Sequence, residues 1–173
     1  MPGAGKSEAV SLASQRNIPF VRFGDITDEK LKSQGLPTTP ENEQKIREEL
    51  RASEGMDAYA KQALPKIEAL LTSANTIAID GLYSWEEYIF LKETFPTLLL
   101  IAIYAEPKIR YQRLVKRDIR PFSPLQARER DITEIEKLNK AGPIAIADFL
   151  IENNTTPKDL HKKLDGILLR ING

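Results

Sequence analysis

Residues Met1-Pro2-Gly3-Ala4-Gly5-Lys6-Ser7 carry types and a spacing that could do phosphate chemistry. They fill the last seven places of G-x-x-x-x-G-K-[ST], a loop that cradles nucleotide phosphates and serves Mg²⁺. Gly3 and Gly5 let the backbone curl so that successive N–H groups point inward. Lys6 supplies an ammonium for the β/γ oxygens, and Ser7 a hydroxyl for Mg²⁺. A helix starting at Gly5 adds its positive N-terminal end. The first Gly of the motif would stand one place before Met1. The strand that normally feeds such a loop is therefore expected upstream, with Met1 an internal residue of a longer natural chain.

Three further sets of residues extend this chemistry. Asp80 ends an apolar run and precedes Gly81, a place where it can hold Mg²⁺ through water or satisfy a turn. Asp25 follows an apolar run and precedes a helix, so it reads either as a general base for an acceptor hydroxyl or as a helix cap. Arg110, Arg113, Arg117, Arg120, Arg128 and Arg130 surround one loop. A mobile Arg-rich lid neutralises charge that develops on phosphoryl transfer and excludes water. Arg117 and Arg120 are the lid residues preferred here, and Asp131 could hold Arg128 or Arg130 in place. Arg47 and Arg51, four apart on a helix, face either an acceptor phosphate or neighbouring glutamates. Tyr83, Trp85 and Tyr88 read more readily as packing than as a substrate pocket. Asn153 follows the last strand, where it could cradle the nucleotide base or shape a turn.

The elements that must position these groups alternate apolar runs with helical stretches, the pattern of a parallel α/β sheet. Strands are expected at 19–23, 76–80, 97–104 and 149–153. The run at 97–104 is apolar enough for burial on both faces. Helices are expected from Gly5, at 26–34, 41–53 and 56–73, after Ser84, at 107–117, after Ser123, and after Thr156. Pro65 should kink the helix at 56–73. Ser84 with Glu87 forms a capping box. Leu160, Leu164, Ile167 and Leu168 give the last helix its apolar face.

Composition bounds the remaining choices. The 173 residues carry 25 Lys and Arg against 25 Asp and Glu, so no general affinity for nucleic acid or anionic membranes is expected. The absence of cysteine excludes disulfides and thiol chemistry. His161 is the one histidine, too few for a histidine metal cluster. No apolar run approaches 18 residues and no signal peptide is visible, which makes a cytoplasmic location the expectation. The sequence does not set the oligomeric state.

The segments Met-Pro-Gly-Ala-Gly-Lys-Ser-Glu, Phe-Gly-Asp, Ile-Asp-Gly, Ala-Glu-Pro-Lys-Ile-Arg-Tyr-Gln-Arg-Leu, Arg-Glu-Arg-Asp and Ala-Asp-Phe-Leu-Ile-Glu-Asn-Asn resemble dephospho-coenzyme A kinase-like P-loop proteins. These are similar in turn to adenylate kinase and dephospho-coenzyme A kinase, and the resemblance runs the length of the chain. It implies one P-loop domain over 1–173, an α/β fold with parallel strand order 2-3-1-4-5 whose first strand is missing from this chain. It also implies a helical acceptor-side insertion at about 26–73 and a lid at about 117–131. The donor would be ATP·Mg²⁺ and the acceptor a small nucleotide-like molecule. Gly3, Ala4, Gly5, Lys6, Ser7, Glu8, Arg113 and Asn153 would bind the cofactor. Ser7 and Asp80 would serve the metal. Lys6, Asp25, Arg117 and Arg120 would be catalytic. The other reading is an ATP-binding regulatory module or slow NTPase.

The resemblance also exposes two departures. Nucleoside-monophosphate kinases carry an acceptor-gripping Arg three residues after Gly-Asp, where this chain has Asp28. They carry another after Asp-Gly, where this chain has Leu82-Tyr83-Ser84. Each lost charge-assisted contact costs on the order of 1.5–3 kcal/mol, unless Arg22, Arg47 or Arg51 replaces it. In the implied order the missing strand lies between those at 76–80 and 97–104. These two are expected either to pair directly or to leave a gap, with weak nucleotide binding in both cases.

Overall fold

A computed structural model describes residues 1–117 and 121–172. In chain order its elements are α1 (Lys6–Gln15), β1 (Phe20–Arg22), α2 (Gly24–Ser33), α3 (Pro40–Glu54), α4 (Ala58–Leu71), β2 (Ala78–Asp80), α5 (Trp85–Thr94), β3 (Ile101–Tyr104), α6 (Pro107–Val115), α7 (Pro124–Glu136), α8 (Ala141–Ala145), β4 (Phe149–Glu152) and α9 (Pro157–Asn172). They fall into two compact units, Met1–Arg16 with Leu99–Gly173, and Asn17–Leu98.

The strands lie where the apolar runs place them, but they form two separate two-stranded parallel sheets. β1 pairs with β2, setting Arg22 opposite Asp80, and β3 pairs with β4, setting Tyr104 opposite Glu152. In the expected order, which numbers these four strands 2 to 5, each pair is adjacent. The run at 97–104 gives a strand of only four residues, and Tyr104 at its end is 43% exposed. The expected burial on both faces is thus not met. Ala102 is buried on one face of β3, Ile101 and Ile103 are half-buried on the other, and Tyr104 is exposed.

In the first unit, that cover is α1 and α9. Leu160, Leu164 and Ile167 recur at helical spacing and pack with Leu12 and Ile151, against Ile101, Ile103 and Phe149. In the second unit, Val21 and Phe23 lead out of β1 into a core of Leu50, Tyr59, Ala63, Ile67 and Leu91 from α3, α4 and α5. The expected capping box at Ser84 forms, and the expected cap at Ser123 proves to be a second box. Ser84 Oγ accepts from Glu87 N while Glu87 returns a carboxylate to Ser84 N, and Ser123 does the same with Gln126. Pro65 sits within α4, and α8 is a short helix that the apolar pattern did not signal.

Candidate functional site

The first unit holds the loop from Met1 to Ser7. Gly3 and Gly5 both take positive φ, +75° and +107°. Gly5 stands at the N-cap of α1, so Lys6 and Ser7 open the helix with N–H groups that have no partner within it. Packing reinforces the glycine requirement. A Cβ on Gly3 would meet the Arg110 carbonyl at 2.8 Å, and one on Gly5 would meet Asn153 Nδ2 at 2.3 Å.

Side chains donate to the loop's carbonyls. Lys6 Nζ donates to Met1 O at 3.3 Å, Arg110 to Pro2 O at 3.1 Å, Arg113 to Gly3 O at 3.4 Å, and Asn153 to Ala4 O at 2.8 Å. Four successive carbonyls thus each accept from a different side chain. Three of the donors, Arg110, Arg113 and Asn153, come from α6 and the end of β4, and they constrain how the loop curls.

Arg110 is the deepest of these anchors. Its guanidinium donates twice to Asp131, at 2.9 and 2.6 Å, and once to Ala105 O. Asp131 therefore holds Arg110 rather than Arg128 or Arg130, because α6 and α7 pack with these side chains face to face. Arg113 bridges from Gly3 O to Thr155 O at the far end of β4. Asn153 Nδ2 donates to the Ala4 carbonyl and so ties the end of β4 to the loop. Glu8 lies in the first turn of α1 with its carboxylate 3.5 Å from His161 Nε2 on α9. Arg117 is exposed just after α6, and Arg120 lies outside the described residues.

One cluster escaped sequence reasoning. Glu134 on α7 accepts from Arg130 Nε at 3.0 Å and from the buried ammonium of Lys140, which stands at the N-cap of α8. Burial and the charge of Lys6 drive Lys140 down to about 8, against the pull of Glu134. Burial raises the Glu134 carboxyl, but Lys140, Arg130 and Lys6 outweigh it and leave it below its ordinary value. Nothing in the spacing signals this pair, since it joins the end of one helix to the start of another.

The second unit holds Asp25 and Asp80. Asp80 closes β2, and its carbonyl accepts from Phe23 N at 2.9 Å. Asp25 lies inside the first turn of α2 and caps nothing. It accepts from Arg22 Nε at 2.7 Å, and Lys66 stands 3.7 Å away. Arg22 also reaches Asp28 at 2.5 Å. Arg47 pairs with Glu43, and Arg51 with the fully buried Glu87 while lying over the Tyr59 ring. All three arginines that might have replaced the absent acceptor arginines are thus engaged by carboxylates. Trp85 tilts against Tyr88 and lines a surface cavity of about 370 Å³ with Asp57, Glu86, Ile89, Phe90 and Glu93.

Residues 1–139 match the AAA domain family, four-fifths of the chain. A UPF0200 protein of Thermococcus sibiricus is 34% identical over 99% of this chain and 92% of its own length. The chain belongs to the AAA domain family and to the UPF0200 proteins. A UPF0200 protein of Methanocaldococcus jannaschii is 36% identical over 99% of this chain and 87% of its own length. A UPF0200/UPF0201 protein of Archaeoglobus fulgidus is 35% identical, and this AAA domain chain spans about half of it (53%). Among solved structures, TT1252 from Thermus thermophilus aligns with a TM-score of 0.64 at 15% identity, over 99% of this chain and 94% of that one. A gluconokinase from Sinorhizobium meliloti 1021 aligns with a TM-score of 0.55 at 13% identity, over 98% and 87%. At such identities the likeness is one of fold alone.

Proposed function

We propose that this protein binds ATP through Met1–Ser7 and transfers its γ-phosphoryl group to a small acceptor. The observation that carries the reading is the anchoring of three successive loop carbonyls, those of Pro2, Gly3 and Ala4, by Arg110, Arg113 and Asn153. It supports a loop built to turn its amides toward phosphate. Lys6 would move from the Met1 carbonyl onto the β/γ oxygens, a small displacement for a four-carbon stem. Ser7 would offer its hydroxyl to Mg²⁺, which when bound offsets phosphate charge. The lid role of Arg117 and Arg120 is carried over from the sequence reading. The roles of Asp80 as a metal ligand and Asp25 as general base rest on the sequence reading.

A second reading is favoured by one specific observation. Residues 17–98 carry nine Lys and Arg against fourteen Asp and Glu. Arg22, Arg47 and Arg51 are each paired with a carboxylate. Such a unit suits a phosphorylated acceptor poorly and is compatible with a nucleotide-binding module or a slow NTPase. Labelled ATP with magnesium and a panel of AMP, CMP and dephospho-coenzyme A separates the two. Transfer to any of the panel supports the kinase. Tight ATP binding with no transfer supports the module.

A further inference from the structure

We propose that the exposed face of α7 is a self-association surface, on which a second copy of this chain lays its own α7 antiparallel about a twofold axis. The starting point is how α7 distributes its side chains. It buries Ala127, Asp131 and Glu134 at helical spacing, so the side turned to the core carries two carboxylates. Leu125, Ile132 and Ile135 instead face water, at 66%, 44% and 46% exposure. They stand seven and three residues apart, the a and d spacing of a helix that seats a partner helix. An exposed leucine by itself means little. An aligned apolar stripe, on a helix whose buried side is charged, is a surface that a partner covers.

The charges on this face select a second copy as the occupant. Arg128 stands within the stripe, between Leu125 and Ile132, while Glu129 and Glu136 run along one flank. All three are exposed and, among the described residues, none is held in an ion pair, whereas the neighbouring Arg130 is bound by Glu134. Leu125 and Ile135 are equally far from the middle of α7, toward opposite ends, and so are Arg128 and Ile132. A twofold axis at the middle of the helix therefore sets Leu125 of one copy against Ile135 of the other. It also lays the apolar stem of Arg128 on Ile132. The Arg128 guanidinium then ends beside the glutamates of the opposite helix, so each copy supplies what the other lacks. A parallel copy would set Arg128 on Arg128 and be repelled. α7 has 13 residues and is about 20 Å long. An interface of that length lies below the standard size, so the expected dimer is weak and concentration-dependent.

The test is sedimentation equilibrium of the whole chain at concentrations from about 5 to 500 μM, the range in which small interfaces associate. The native protein should shift from monomer to dimer. I132Q/I135Q, which removes the stripe without adding charge, should associate roughly tenfold or more weakly. R128E makes the face wholly acidic, and E129R/E136R makes it wholly basic. Each of these alone should be monomeric, and their equimolar mixture should form a heterodimer, because opposite charges then meet across the axis. All of these positions are exposed, and thermal melts establish that the variants are folded. A native chain that stays monomeric overturns the proposal and leaves the face to a different protein. A dimer that survives I132Q/I135Q overturns it too, since its interface lies elsewhere. Dimerisation of R128E alone, or none in the mixture of folded charge variants, overturns the antiparallel pairing. Should I132Q/I135Q not fold, the charge variants decide by themselves.

Discussion

Asn153 Nδ2 donates to the Ala4 carbonyl at 2.8 Å and occupies the space that a Cβ on Gly5 would need, 2.3 Å away. The end of β4 thereby fixes the curvature of a loop at the other end of the sequence. G5A faces two penalties, a positive φ that costs an alanine about 1–2 kcal/mol and a collision with the Asn153 amide. We expect it to weaken ATP binding at least tenfold. N153A should cost about 1–2 kcal/mol through the lost hydrogen bond. In the N153A background G5A should do less harm, because the colliding group is gone. Calorimetric affinities and urea midpoints around this double-mutant cycle measure the coupling, and strict additivity would deny it.

The buried Arg110–Asp131 pair predicts an asymmetry between breaking and replacing. D131N leaves a buried guanidinium without its countercharge and should lose about 3–5 kcal/mol in urea unfolding. R110M combined with D131L should recover much of that loss while still weakening ATP binding, since Pro2 O loses its donor. Equal losses in the single and the double variant would show that the charge pair is not the source of the penalty.

Local signals account for what was legible in the sequence. Strand positions, the capping box at Ser84, the cap at Ser123 and the apolar face of α9 depend on neighbours within a few residues, and all appear where the pattern puts them. The loop was legible because its glycines, lysine and serine are contiguous. The partnership of Asp131 with Arg110, of Asn153 with Ala4 and of Glu134 with Lys140 was not. Each joins separate elements through side-chain directions that spacing does not encode. The expectation that β3 would be buried on both faces failed for a related reason. An apolar run reports how much cover a strand wants, not how many strands stand beside it.

Glu87 predicts a pH dependence of stability. Burial lifts its carboxyl above the ordinary value of 4.5, against the opposing pull of Tyr83 N, Arg51 and Ser84 N. A carboxyl whose folded pKa is raised holds its proton more tightly in the folded state. Its contribution therefore favours folding at low pH and is lost as pH rises from the unfolded value through the raised folded one. E87Q cannot titrate. The difference in unfolding free energy between native and E87Q should fall on the native side as pH rises from about 4 through that window, then flatten. Urea titrations at closely spaced pH values read it, and a difference that is constant with pH would contradict the burial-driven shift.

Arg22 offers the sharpest prediction about the acceptor. Asp25 and Asp28 hold its two sides at 2.7 and 2.5 Å, and all three side chains are about a third to a half exposed. Exposed pairs of this kind contribute little to stability, so D28N should change unfolding by less than about 1 kcal/mol. It would leave one edge of Arg22 available for a phosphate. We expect D28N to raise kcat/KM for AMP or CMP roughly tenfold, through KM, if the chain is a kinase for phosphorylated acceptors. D25N should instead lower kcat by about 100-fold or more, as loss of a general base does. Radiolabel transfer assays on the two variants separate the roles. No gain in D28N together with full activity in D25N would assign this carboxylate–arginine cluster to the framework of the second unit, not to the reaction.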